Sequence, residues 1–185
     1  MKAYKGFHKD LTCRGYQFHE GIVNKTDKAN CAQNGFHCAE NPLDCLSYYP
    51  DWRNSVYYVV EAGGDLDEDA YDSKISCTQM RLIRKLSLYE LLFEAVVYMA
   101  RHPRRKWSCH VEKEVGTAKD GFVVVRGKNP KAYGEVGDIV ALLKEKKRTA
   151  DLEDVSLFVI DGQKYPMRAW HGIYGEVKEY ECIAA

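Results

Sequence analysis

GFHCAENPLDCLSYYP, residues 35–50, packs more unusual choices together than any other stretch of the chain. Asn34-Gly35 marks a turn into it, and residues 36–38 then read as a short extended piece. Asn41 suits a helix N-cap, Pro42 the first helical position and Asp44 the first turn, and Pro50 stops the helix. Leu43 and Leu46 give that helix its apolar face, and Cys38 and Cys45 read as small core fillers. His37 and the pair Tyr48-Tyr49 are the choices that this turn, strand and helix do not require.

Working outward, KAYKGF at residues 2–7 alternates as a first strand, and residues 16–20 read as a second. SVYYVVE at 55–61 is dense in β-branched and aromatic residues and reads as a strand. GGDLDEDAYD at 63–72 reads as an acidic, glycine-led loop, and residues 74–85 as extended. Ser87 with Glu90 three residues later forms a capping box. It opens a helix in which Leu88, Leu91, Leu92, Ala95, Val96 and Met99 recur at helical spacing, and Pro103 ends it. A polar hinge follows at 104–116. From Gly121 the pattern is β, with short apolar runs at 122–126, 139–143 and 155–160. KEKKR at 144–148 reads as a solvated hairpin tip, and Asp161-Gly162 as a hairpin turn. The expected fold class is α+β. A mixed domain with two helices and several strands covers residues 1–108, and a small β-rich domain covers 115–185.

The totals exclude some function classes. With 185 residues and zero formal net charge, no global field draws the chain to nucleic acid or membrane. No apolar run approaches the roughly 18 residues a bilayer span needs. Seven cysteines without paired metal-ligand spacing point to reduced thiols in a cytoplasmic protein, with no metal site. The 13 tyrosines suit either strands or a partner surface.

One chemistry and one binding role are open to these residues by type. Metal-free RNA cleavage needs a base, an acid and a cation. His37, with His8 or His19 as second proton carrier and Arg14 as cation, supplies that set. Tyr48 and Tyr49 could then stack bases. Arg81, Arg84, Lys85, Arg104, Arg105 and Lys106 give a candidate nucleic-acid face. The plainer reading makes those cations a solvated flank of the long helix and His37 a capping group. The alternative is binding without chemistry, in which an aromatic-rich surface, or the acidic loop imitating phosphates, blocks a partner.

The motifs AYKGF at 3–7, LTCRG at 11–15 and GFHCAENPLDCLSYY at 35–49 resemble a family of phage and prophage proteins from gut Firmicutes. This chain reads His37-Cys38-Ala39 where that family has His-Ala-Cys. That family is uncharacterised; phage accessory genes of this size often antagonise host defence, so the expectation is an antagonist in the manner of an anti-CRISPR protein, working in the host bacterial cytoplasm. Its implied partner is a host defence protein or ribonucleoprotein complex, which it binds or whose guide RNA it cleaves. Tyr4-Lys5-Gly6 on a first strand, followed by a Gly-Phe strand and a helix, is also similar to the ADP-ribosyltransferase scaffold. That likeness implies a transferase-like enzyme or a degenerate NAD-binding relative, with Lys5 in the nicotinamide slot where the scaffold has His or Arg, Tyr4, Gly6, Tyr48 and Tyr49 around the substrate and Glu61 as the acid. NAD is expected only under that alternative; otherwise no cofactor is.

Overall fold

The computed structural model describes residues 1–30, 33–68 and 73–175. It corrects the expected fold class: with 49% strand and 11% helix, the protein is a β-rich fold and not a mixed α+β arrangement. The chain divides into two units, Met1–Tyr98 and Met99–Ala185.

The first unit contains β1 (Lys2–His8), β2 (Thr12–Cys13), β3 (Tyr16–Gln17), β4 (Val23–Lys25), β5 (Phe36–Ala39), α1 (Asp44–Tyr48), β6 (Ser55–Glu68) and β7 (Lys74–Leu86). The helix α2 (Leu88–Arg101) follows β7, and the division between units falls within it. Two local outcomes shift the balance toward β. The expected helix after Asn41 is only five residues long. Its entry is bonded at i→i+3 spacing, Asp44 N–H to the Asn41 carbonyl at 3.1 Å and Cys45 N–H to the Pro42 carbonyl at 3.2 Å. The α-helix therefore starts at Asp44 with Leu43, not Asn41, at its N-cap, and Tyr49 ends it before Pro50. The expected acidic loop is largely strand: β6 continues to Glu68 and pairs with β7 as far as Glu68↔Ile75. A register shift between Gly63 and Leu66, with Gly64 at φ 71°, absorbs the two glycines as a bulge. Residues 69–72 of that stretch lie outside the described residues. The capping box does form, with Ser87 N–H donating to Glu90 Oε2 at 2.8 Å and Glu90 N–H to Ser87 Oγ at 3.2 Å.

The sheet of this unit runs β4-β7-β5-β1-β6, and β6 also pairs with β7, so it closes on itself. Closure joins β7, β5, β1 and β6 into a ring with one face of each strand inward, and β4 stays as an edge strand along β7. Ala3, Phe7, Phe36, Cys38, Val56, Tyr58, Val60, Ala62, Ile75 and Cys77 form the enclosed core, joined by Phe18. Lys5 lies between Ala3 and Phe7 in the strand alternation, so it shares their inward face. Closure is narrowest where β1 meets β5, whose paired register is the single pair Tyr4↔Ala39.

The second unit is built on β9 (Phe122–Tyr133). β8 (Val111–Thr117) and β10 (Ile139–Glu145) both run parallel to it, β12 (Trp170–His171) pairs antiparallel at its far end, and β11 (Leu152–Val159) is antiparallel to β10. Val123, Val125, Ala132, Val140, Leu142, Phe158 and Ile160 form its core. The expected polar hinge at 104–116 therefore holds a strand. Residues 163–165 form no strand after Asp161-Gly162; the Asp161 carboxylate instead accepts the N–H groups of Gln163 and Tyr165. Neither described helix is long and apolar enough to cross a membrane.

Candidate functional site

Below Tyr4↔Ala39, β1 and β5 no longer pair, and a cavity of about 430 Å³ opens beside them. That size lies in the range of small-molecule sites, roughly 300–1,000 Å³. Tyr4, Lys5, Gly6 and His8 from β1 line it, with His37, Cys38 and Ala39 from β5, Cys45, Tyr48 and Tyr49 from α1 and its C-cap, Cys13 and Arg14 from the β2–β3 hairpin, and Lys74 from β7.

Each element has a local reason to be there. β2 and β3 are joined by Arg14-Gly15, with φ 47° and 80°, the positive-φ pair of a two-residue hairpin. That turn carries Cys13 and Arg14 to the cavity. Gly35 at φ 87° leads into β5, and a Cβ there would run into Ser76 Oγ. Gly6 is required by contact: a Cβ would lie 2.6 Å from Tyr49 Cδ2, so the Tyr49 ring seats directly on the strand. The Tyr49 carbonyl is held from behind by the Tyr57 hydroxyl, so the ring has little room to retreat. Gly6→Ala is expected to cost about 1–3 kcal/mol through this overpacking. Urea unfolding measures it, and a loss below about 0.5 kcal/mol would mean that the ring moves freely.

Lys5 sits at the floor. It is 4% exposed, and its ammonium donates to the His37 carbonyl at 2.8 Å and to Cys13 Sγ at 3.4 Å. The rings of Phe7 and Phe18 lie 5.0 and 5.5 Å from Nζ. Among the described residues Lys5 makes no ion pair, and no described lining residue is a carboxylate. Lys74 donates to the Tyr48 hydroxyl at 3.1 Å with its ammonium 5.2 Å from that ring. Arg14 is exposed, and the exposed ring of His8 packs edge-on to Tyr49 at 5.4 Å.

The electrostatics follow from this composition. Burial, reinforced by Arg14, Lys5 and Lys74, lowers the His37 pKa to about 4. His37 is thus a neutral imidazole at neutral pH, a weak base and no source of protons. Burial pushes the Cys45 thiol up to about 12 and raises the Tyr49 phenol, which also contacts Cys13. Neither is a nucleophile at neutral pH. The His37 shift has a consequence for stability. Above pH 6.5 the ring is neutral in both folded and unfolded chains. Between 6.5 and about 4 only the unfolded chain takes up the proton, so stability falls across that window as pH drops. The ring is half-buried, and solvent screening keeps the effect to about 1 kcal/mol. Thermal melts of the wild type and His37→Asn from pH 7 to pH 4 check this: the variant should lose less, and parallel curves would contradict it.

The cavity brings together Tyr4, Lys5, Gly6, Arg14, His37, Tyr48 and Tyr49. It leaves out Glu61, which is exposed on β6 opposite Lys2 and Arg81, and His19, which is exposed outside the lining. Arg81, Arg84 and Lys85 are exposed on β7, and Arg84 is held by Glu90 at 2.6 Å and Glu94 at 3.2 Å. Arg104, Arg105 and Lys106 are exposed in the second unit. Cys13, Cys38, Ala39, Cys45 and Lys74 are the lining residues that sequence reasoning missed; Cys38 and Cys45, read there as core fillers, are buried and also line the cavity. For Cys13 and Lys74 the signals differ. The hairpin-forming Arg14-Gly15 was the available signal for the first, and the position of Lys74 at the start of an extended segment was too general to find the second. Among the described residues no group of three or more His, Cys, Asp or Glu side chains could hold a metal ion.

The first unit is thus a closed β unit with a cationic, aromatic-walled cavity. The chain belongs to the family described as a domain of unknown function, DUF7666, whose model matches residues 1–94 and so takes in every residue that lines the cavity. No curated protein and no solved structure matches the chain.

Proposed function

We propose that the first unit is a nucleotide-binding module that holds a phosphate-bearing ligand of the NAD or ADP type without transforming it. The observation that carries this reading is Lys5. Buried charges in proteins are paired, because desolvating an unpaired one is costly. Lys5 is buried at the floor of a cavity and has no carboxylate among the described residues, so an anion entering from solvent is its natural counter-ion. Arg14 and Lys74 extend the positive field to the same cavity, and Tyr4, Tyr48 and Tyr49 offer flat apolar surface for a nucleobase or nicotinamide ring.

The position of Glu61 favours binding over transfer. The transferase alternative needs an acid beside the ribose, and Glu61 does not line the cavity. RNA cleavage is less well equipped too, since neutral His37 has no proton for a leaving oxygen. An antagonist of host defence would, on this reading, work by capture of a nucleotide ligand. Equilibrium dialysis with labelled NAD tests it, followed by chromatography of the recovered label. Saturable binding with NAD recovered intact is expected. Released nicotinamide would restore the enzymatic alternative, and absence of binding at millimolar NAD, for both NAD and ADP, would overturn the reading.

A further inference from the structure

A second cationic feature lies in the second unit and is independent of the cavity. Arg126 is fully buried on β9. Its Nη2 donates to the Pro103 carbonyl at 2.8 Å and to the Ala150 carbonyl at 2.6 Å, while Nε meets Glu145 Oε1 at 3.0 Å. The Trp107 ring lies 4.8 Å from its guanidinium. One side chain therefore staples two segments far apart in sequence, residues 102–107 and the turn between β10 and β11. Lys128 tightens the same turn, donating to the Lys146 carbonyl at 2.6 Å and the Thr149 carbonyl at 2.9 Å. With those carbonyls turned inward, Lys146, Lys147 and Arg148 are left exposed on one stapled segment, and Arg104, Arg105 and Lys106 are exposed on the other. A shallow cavity of about 400 Å³, lined by His102, Pro103, Arg104, Arg105 and Asp151, marks where the two segments meet.

Glu145 is engaged by Arg126 and by Lys128 at 3.2 Å, and Asp151, which accepts from Thr149 Oγ1 at 3.1 Å, puts one carboxylate in the shallow cavity among these cations. The zero net charge of the chain thus hides a local concentration of six cations. We propose that residues 104–106 and 146–148 form one nucleic-acid-binding surface that takes the phosphodiester backbone. A line of anions at regular spacing suits six exposed cations held on two stapled segments. An anionic membrane suits them less, because none of the large exposed hydrophobic side chains falls within 102–107 or 146–151 to enter a bilayer.

Fluorescence anisotropy with a labelled single-stranded 20-mer RNA, and separately a duplex DNA of the same length, tests the surface across a salt series. The wild type should bind with log K falling linearly in log salt. Lys146→Gln/Lys147→Gln/Arg148→Gln should flatten the RNA slope by roughly 2, at about 0.7 for each phosphate no longer neutralised. Arg104→Gln/Arg105→Gln/Lys106→Gln should do the same, while Lys9→Gln in the first unit should leave the slope unchanged. Circular dichroism confirms that the variants, all at exposed positions, stay folded. Three results would each overturn the proposal: no binding to either nucleic acid at about 50 mM salt, wild-type slopes in both triple variants, or preferential binding to phosphatidylserine vesicles or polyglutamate over RNA.

Discussion

Glu145→Ala is expected to destabilise the second unit by about 3–5 kcal/mol, the usual cost of breaking a buried ion pair from one side. The Arg126 side chain is 1% exposed and that of Glu145 12%, so the alanine leaves a guanidinium without its counter-ion inside the unit. The Pro103 and Ala150 carbonyls still accept from Arg126, which puts the expectation toward the lower end of that range. Lys128 loses its carboxylate at the same time. Urea unfolding followed by tryptophan fluorescence reads the change, since Trp107 stacks on Arg126. Replacing both partners with methionine should recover most of the loss, because the penalty comes from the orphaned charge and not from missing volume. A loss below about 1 kcal/mol in the single variant would mean that water reaches Arg126 and that the staple is not what orders the two segments.

Lys5→Met is the second large effect, and it moves two observables in opposite ways. It should lower affinity for ADP roughly 10- to 100-fold, from the 1.5–3 kcal/mol that a hydrogen bond to a charged group contributes, at about 1.4 kcal/mol per tenfold. Folding stability should hold or rise, because methionine suits the apolar surroundings of Phe7 and Phe18 and removes a buried charge that lacks a carboxylate partner. A purely structural lysine behaves differently: losing its bonds to the His37 carbonyl and Cys13 would cost stability. Calorimetric titration with ADP, beside a thermal melt of the same variant, separates the two roles. A large drop in melting temperature with unchanged affinity would assign Lys5 to the scaffold.

Local chemistry carried much of this in the sequence. The capping box at Ser87 and Glu90 marked the start of α2, and Asn34-Gly35 marked the turn into β5. His37, Tyr48 and Tyr49 stood out because no turn or helix rule accounted for them, and they line the cavity together with Tyr4, Lys5 and Gly6. What stayed hidden is non-local. Closure of the first sheet depends on β7 pairing with both β5 and β6, pairings that no period in the sequence encodes. The bulge at Gly63 and Gly64 let a strand run through a stretch whose composition reads as loop. Glu61 was selected by type and strand position, but its register opposite Lys2 puts it away from the cavity. The turn at 146–148 reads as a plain solvated tip until the buried Arg126 brings residues 103 and 150 to one guanidinium.

The imidazole of His37 reports most directly on whether the first unit holds a phosphate-bearing ligand. Heteronuclear magnetic resonance of ¹⁵N-histidine protein, titrated from pH 8 to pH 4 with and without saturating NAD, follows that ring. The free protein should titrate at about 4. With NAD bound, the ligand's phosphates offset the field of Lys5, Arg14 and Lys74, and the His37 midpoint should move upward. A His37 resonance with the same shifts and the same midpoint in both series would contradict a nucleotide in this cavity.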